Sequence, residues 1–351
     1  MPDIRCVLEP GSGIVRTLHV TPPRAGRRLL WSVGALLTGD GQEEGPFTMH
    51  AVGACGRRRD ETLLRAAGEV VERWAVAAQD RLGPPPLFPD AGPSGAAAGP
   101  SVEFCRTRGL RELIERDAAM RGWYLCRGVR RLPLDQARSA LGPLQSVIAP
   151  LRDRGAELVA LEMPSRCREL SVIMCAIIEP SEQIVACGLG CDSALDGAIA
   201  TAAREACQIV DLFTIMREAL GRPDRPEHLR SDTDRATWWG APGNITAFRT
   251  WLTKISTADQ AVTVPTTNCA ETNCAETNCA ETNCAEMEWK SLVESTRFTD
   301  LTPSLPQRIR QGGWHAGRAE NPALTPLVTD ESALGQELVT PDTHPIPHPI
   351  L

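Results

Sequence analysis

Lysine is nearly missing from this 351-residue sequence: Lys254 and Lys290 are the only two among 37 Lys and Arg residues. Any anion site must therefore be built from arginine side chains and backbone N–H groups. A positive surplus is also missing. The net charge is −7, which argues against a general nucleic-acid binder, although four of the acidic residues sit in one short repeat. No apolar run approaches the roughly 20 residues that span a bilayer; the longest, 171–178, is far too short. The opening Met1-Pro-Asp-Ile-Arg-Cys has no apolar core of a secretory signal. Thirteen cysteines are present, but no Cys-x-x-Cys pair. The nine outside the repeat are scattered and read as reduced, mostly buried thiols, so the cytoplasm is the expected compartment. A P-loop is missing, since Lys290-Ser291 lacks the preceding glycines, and so are His-Glu-x-x-His and Gly-x-Ser-x-Gly. His19, His50, His228 and His315 are isolated and read as structural.

With 42% apolar residues, the chain can bury a core as one large domain or two. Residues 4–19 read as strand, turn and strand around Gly11 and Gly13. Residues 60–81 read as a helix with Asp60 as N-cap and Leu63, Ala67, Val70 and Trp74 as its apolar stripe. Residues 83–100, rich in Pro, Gly and Ala, read as loop. Ser101 then caps a second helix reaching about Trp123. A third helix covers about 134–152. Strands follow at 156–163, 170–178 and 183–187. Gly188-Leu-Gly190 reads as a turn before a long helix over about 195–220, with Asp192 or Ser193 as cap. A further helix is placed at 238–253 and a strand-like segment at 298–305. The alternation indicates an α/β or α+β domain. Residues 267–286 repeat Thr-Asn-Cys-Ala-Glu four times. A five-residue period fits no standard repeat architecture, and a duplicated surface-loop insert explains it better than a thiolate metal site.

Glu69, Glu72 and Arg73 stand at i, i+3 and i+4, on one helix face. Two carboxylates there repel unless a cation lies between them; Mg²⁺ takes one or two carboxylates plus phosphate oxygens, and an arginine can hold a phosphate. Spacing alone favours an ordinary solvated face with an i,i+4 ion pair. Glu112, Glu115 and Arg116 repeat the pattern on the second helix, and Glu205 and Gln208 offer a carboxylate and an amide oxygen on the long one. The Gly188-Leu-Gly190 turn could bind an anion at the helix N-terminus, though a simple tight turn explains it as well. The end of the chain carries Pro345, Pro347 and Pro349, which have fixed φ and no N–H. It reads as extended and polyproline-like, or as a disordered terminus.

In order, these segments resemble the YcaO family, specifically the cyclodehydratase component that forms azolines in ribosomally synthesised peptides. The resemblance rests on Ser12-Gly-Ile-Val-Arg16, Glu69-x-x-Glu72-Arg73, and Ser94-Gly-Ala-Ala-Ala-Gly-Pro-Ser101 followed by Glu112-Leu-Ile-Glu-Arg-Asp117. It continues through Glu205-x-x-Gln208, Asp300-Leu-Thr-Pro303 and the final Pro-x-Pro-x-Pro. It departs at Arg65 and Ala198, where the family has serines, and at Asn321-Pro-Ala-Leu324, where Pro-Gly-Leu is usual.

The resemblance implies an α+β, YcaO-type fold with mixed sheets and packed helices. Residues 1–260 would form the main part, 261–286 the surface insert, and 287–351 the remainder with the tail. It implies ATP and Mg²⁺ as cofactors. Glu69, Glu72, Glu205 and Gln208 would hold the metal; Arg16 and Arg73 would contact phosphates, with Glu112, Glu115 and Arg116 as further nucleotide-site residues. Pro345, Pro347 and Pro349 would order the active site. The implied reaction converts Cys, Ser or Thr of a ribosomal precursor peptide to thiazoline or oxazoline, as in bacteriocin biosynthesis. A separate leader-peptide-binding protein would deliver the substrate, and a homodimer is allowed. The alternatives are thioamide or amidine formation on the same ATP site, and a non-catalytic peptide-binding scaffold.

Overall fold

Gly188 and Gly190 lie in the middle of a strand, not in a turn, and the fold is organised around what packs on them. The computed structural model describes residues 1–9, 11–24, 28–38, 51–82, 87, 92–221, 224–229, 231–262, 287–328, 338 and 346–350. The repeat at 267–286 and Pro345 lie outside the described residues.

Among the described residues there are three antiparallel sheets. The first runs β1 (Val15–Thr21), β2 (Trp31–Leu37), β3 (Ala51–Gly56), in that order. The second has β10 (His315–Glu320) between β4 (Ala96–Gly99) and β9 (Arg297–Asp300). The third is the meander β5 (Arg130–Arg131), β6 (Glu157–Met163), β7 (Ser171–Glu179) and β8 (Ile184–Asp192). Strands β7 and β8 are buried along almost their whole length, as expected where a sheet is covered on both faces.

Three long helices tie the sheets together. Helix α2 (Arg59–Leu82) packs on β2 and β3 of the first sheet and on β4 and β10 of the second. Helix α3 (Val102–Leu125) packs on β4 and β10 and also on β6, β7 and β8. Helix α6 (Leu195–Leu220) lies on β7 and β8 and reaches β3. Each helix thus bridges two sheets, and the three form a ring. The α+β class with packed helices holds, built here on several small antiparallel sheets.

Local signals explain most of these elements. The Ser101 hydroxyl accepts from the Phe104 N–H 3.1 Å away, capping α3. On α2, Ala67 and Val70 are fully buried, as the stripe requires. Asp60 lies inside α2 and pairs with Arg58 rather than capping. At α6 the Asp192 carboxylate accepts from the Ala194 N–H at 3.0 Å.

The sequence misleads in four further places. The first strand expected in 4–19 is a short helix, α1 (Arg5–Leu8), with Cys6, Val7 and Leu8 buried. The helix expected over 134–152 is broken into α4 (Leu134–Ala140) and α5 (Gln145–Asp153) by Gly142, at φ +50°, and Pro143. The expected 83–100 loop contains strand β4. Residues 238–253 fall in two helices, α7 (Asp232–Gly240) and α8 (Asn244–Val262). Helices α9 (Trp289–Ser295) and α10 (Gln307–Gln311) complete the chain. No helix among the described residues is long and apolar enough to cross a membrane. Nine cysteines are free and buried.

Candidate functional site

Where α2, α3 and α6 face one another, five glutamates and four arginines interact. Glu69, Glu72 and Arg73 come from α2, and Arg108, Glu112, Glu115 and Arg116 from α3. Arg204, Glu205 and Gln208 come from α6. Arg73 Nε donates to Glu69 Oε1 at 3.0 Å. Arg116 lies 3.4 Å from Glu112 and 3.7 Å from Glu115. Arg204 lies 3.6 Å from Glu205, whose other oxygen accepts from the Leu189 N–H of β8 at 3.2 Å. Glu72 has neither hydrogen bond nor ion pair with any described residue.

The electrostatics couple the helices. Burial pushes the Glu72 carboxyl well above its ordinary range, and the charges of Glu69 and Glu112 push it further. Glu112 is raised by burial as well, against the pull of Arg116 and Arg108. Burial lifts Glu115 to about 7; Glu205 and Glu112 add to that, while Arg116 and Arg108 oppose it. These are carboxylates that lack countercharge. A cation bound between them would return them to the ionised form.

A metal ion fits this site in a particular way. Among the described residues no group of three or more His, Cys, Asp or Glu side chains converges on one point. One four-ligand cage of Glu69, Glu72, Glu205 and Gln208 is therefore not built. The charges of Glu69 and Glu112 act on Glu72, and those of Glu205 and Glu112 act on Glu115, so the carboxylates fall into two overlapping electrostatic sets. That suits Mg²⁺, which takes one or two carboxylates and fills its other positions with phosphate oxygens and water.

Sequence reasoning missed three members. Burial lowers the pKa of Arg108, but the charges of Glu115, Glu112, Glu205 and Glu72 outweigh it and raise the net value, though among the described residues it forms no ion pair. Its place one turn before Glu112 on α3 was the available signal. Arg204 stands one residue before Glu205. Cys55 on β3 donates its thiol to Gln208 Oε1 at 3.1 Å; no spacing rule links residues 153 apart.

The glycines place Glu205. A Cβ at Gly188 would strike the Ala202 carbonyl and Ala206 N–H, and would lie 2.5 Å from Glu205 Cβ. One at Gly190 would lie 2.8 Å from the Ala202 nitrogen. Helix and strand approach so closely only because both side chains are absent. The tight turn expected at Gly188-Leu-Gly190, with anion binding as its weaker alternative, is thus corrected to a strand that seats α6. Ala198, fully buried, packs over Gly190. Gly188→Ala is expected to lower stability by about 2–3 kcal/mol through overpacking, measured by chemical denaturation, with Glu205 displaced.

Arg65 is exposed and pairs with Glu61 at 2.8 Å, outside the cluster. Arg16 is exposed on β1 at a bulge between Val15 and Thr17; no hydrogen bond or ion pair ties it to the glutamates. The described tail residues are locked into the protein. Trp123 Nε1 donates to the Ile346 carbonyl at 2.7 Å, and Trp239 Nε1 to that of His348 at 3.1 Å. Arg235, fully buried, donates to the carbonyls of His348 and Val328 at 3.0 and 3.1 Å. His348 is held far below the ordinary imidazole range by burial and by the charges of Arg235 and Arg116. The tail therefore passes within the field of the glutamate cluster's Arg116.

Comparison with known proteins agrees with this fold. The family model described as YcaO cyclodehydratase, ATP- and Mg²⁺-binding, matches residues 80–273, over half the chain. The match takes in α3 and α6 but not Glu69, Glu72 and Arg73. No curated protein sequence matches. Among solved structures, YcaO from Methanopyrus kandleri bound with AMPPCP and Mg²⁺ aligns at TM-score 0.58 and 15% identity, covering 95% of this chain and 92% of that one. A heterocyclase in complex with substrate and cofactor aligns at 0.58 and 14%, covering 99% of this chain and 56% of that one. The chain thus spans about half of that larger protein. The E. coli microcin synthetase McbBCD complex with pro-MccB17 bound aligns at 0.56 and 11%, over 87% of each chain.

Proposed function

The chain belongs to the YcaO family, and on that premise we propose that it is an ATP- and Mg²⁺-dependent peptide cyclodehydratase. It converts Cys, Ser or Thr of a ribosomal precursor peptide into thiazoline or oxazoline. The observation that carries this reading is the ring of under-neutralised glutamates on α2, α3 and α6, with arginines between them and no P-loop in the sequence.

In this reading the substrate side chain attacks the carbonyl carbon of the preceding amide, and the amide oxygen leaves as phosphate, so each ring costs the peptide one water. Bound ATP supplies the phosphoryl group that makes that oxygen a good leaving group. The protein positions and neutralises. Glu69 and Glu72, with Glu112 beside them, would hold one cation, and Glu115 and Glu205 would hold a second. Gln208, oriented by the Cys55 thiol, offers its amide to the same site. Arg73, Arg108 and Arg116 balance phosphoryl charge. A separate partner protein delivers the precursor, in keeping with a leader-dependent substrate. Arg65 and Ala198 do not weigh toward a decayed scaffold, because one side chain points away from the cluster and the other is a packing contact.

The test is mass spectrometry of precursor peptide incubated with the chain, its partner and ATP. Loss of one water per ring is expected; an unchanged mass with a competent partner present refutes the reading. A second prediction follows from Glu115. Its carboxyl, neutral below about 7, must ionise to face a cation. Mg²⁺-nucleotide affinity is therefore expected to climb as pH rises through about 7, with protons released from Glu115 and from the likewise raised Glu72 and Glu112, and with the Glu115 share lost in Glu115→Gln. Calorimetry in two buffers of different ionisation heat measures those protons; a release unchanged in Glu115→Gln would remove Glu115 from the site.

A further inference from the structure

On the far edge of the third sheet lies a cavity of about 300 Å³, between α4, α5 and β6. Its floor is apolar: Leu132, Ile148, Val159 and Ile177 are buried there. Its rim is basic. Arg131 pairs with Glu157 at 3.0 Å, and Arg249 approaches the same carboxylate at 3.8 Å, so Glu157 is already neutralised. Arg138 and Arg152, which also line the cavity, have no hydrogen bond or ion pair from their side chains among the described residues. Leu134, at the mouth, is a large apolar side chain left 45% exposed.

The sheet edge beside this cavity is open. Strand β5 is two residues long and pairs only with Leu161 and Glu162. The Leu132 N–H still reaches the Ala160 carbonyl at 2.9 Å, and then Pro133, with no N–H, ends the pairing. Backbone groups of alternate residues face the same side of a strand. The N–H and C=O of Leu158 therefore point to the same edge as those of Ala160, beyond the end of β5, where no strand among the described residues pairs with them.

We propose that this edge is a docking site for an extended polypeptide segment in which apolar and acidic side chains alternate. The segment adds as a strand beside β6, exchanging backbone hydrogen bonds with Leu158. With a period of two, one apolar side chain enters the cavity while an acidic neighbour meets Arg138 and Arg152. This is strand addition, in which main-chain bonds supply affinity and pockets for alternate side chains supply selectivity. The choice of occupant rests on charge complementarity and on the free backbone edge; a small apolar acid would leave Leu158 unused. The inference does not depend on the reading of the glutamate cluster.

The test uses the full chain and fluorescence anisotropy of labelled acetyl-Gly-Leu-Glu-Leu-Glu-Leu-Gly amide. Saturable binding is expected, with no binding by the counterpart bearing Lys for Glu. N-methylation of alternate backbone amides on one edge of the probe should abolish it. Charge reversal by Arg138→Glu with Arg152→Glu should weaken it at least about tenfold. Because Arg152 is exposed, the single change Arg152→Glu keeps the test informative if the double variant fails to fold. Several results overturn the proposal: no saturable binding, equal binding of a probe with the same composition but no alternation, affinity unchanged by the Arg variants, or full displacement by octanoate. Self-association of the chain that hides the groove from the probe, seen by light scattering, also overturns it.

Discussion

Glu72→Gln is expected to abolish ATP-dependent turnover while making the metal-free protein more stable. The two effects have one cause. Glu72 has no partner among the described residues, and its carboxyl is raised well above the ordinary value by burial and by Glu69 and Glu112. A group whose folded-state pKa is raised binds a proton more tightly in the native state, so its ionisation costs stability. The wild type should therefore lose stability as pH rises from the unfolded-state value of roughly 4.5 through the folded-state value, and the loss should persist above it. Glutamine removes that charge. The gain, a few tenths to about 1 kcal/mol, should appear near neutral pH and vanish near pH 4.5, where both forms are neutral. Turnover should fall at least about 100-fold, the scale of deleting one preorganised electrostatic contact. Melting curves across pH and single-turnover assays separate the two. A variant with full turnover, or one less stable than wild type at pH 8, contradicts the assignment of Glu72 to a cation position.

Helix boundaries were legible where local chemistry decides them. Ser101 announced α3, and the apolar stripe of residues 60–81 announced α2. What sequence could not show was distance. Gly188 and Gly190 looked like a turn because glycines usually mark one, yet here they admit the backbone of α6. Only the helix lying on them reveals that use. Strand β4 was hidden for a similar reason. Ala96, Ala97 and Ala98 have weak strand preference, and pairing with β10 overrides it. The Glu-Arg pattern gave the helix faces of Glu69, Glu72, Glu112 and Glu115, but not their mutual approach, which depends on three helices each bridging two sheets. The Cys55–Gln208 contact joins residues far apart in the chain, so spacing carries no trace of it. Tail placement is of the same kind. A Pro-x-Pro-x-Pro run specifies an extended backbone, whereas the groove that holds it belongs to Trp123, Arg235 and Trp239.

A chain truncated before Ile346 is expected to lose several kcal/mol, and Arg235→Met is expected to restore part of the loss without restoring activity. In the intact protein Arg235 is fully buried and its guanidinium bonds to the His348 and Val328 carbonyls. The indoles of Trp123 and Trp239 give their N–H groups to Ile346 and His348. Truncation removes three of those four hydrogen bonds. Each buried donor left unsatisfied costs about 1–3 kcal/mol, and more for a charged one. The total is on the order of 3–6 kcal/mol. Methionine has nearly the same reach as the arginine stem and no charge to solvate, so in the truncated chain it relieves the largest part of the penalty. In the full-length chain the same change breaks two bonds of a buried charge to the backbone and destabilises. The effects should therefore be non-additive, with a coupling of about 1–3 kcal/mol in a double-mutant cycle. Turnover is expected to stay low in every truncated form if the tail, which lies in the field of Arg116, also orders that side of the cluster. If the tail only fastens α3 to α7, the rescued truncation will turn over normally; if it also shapes the site, stability and activity will separate.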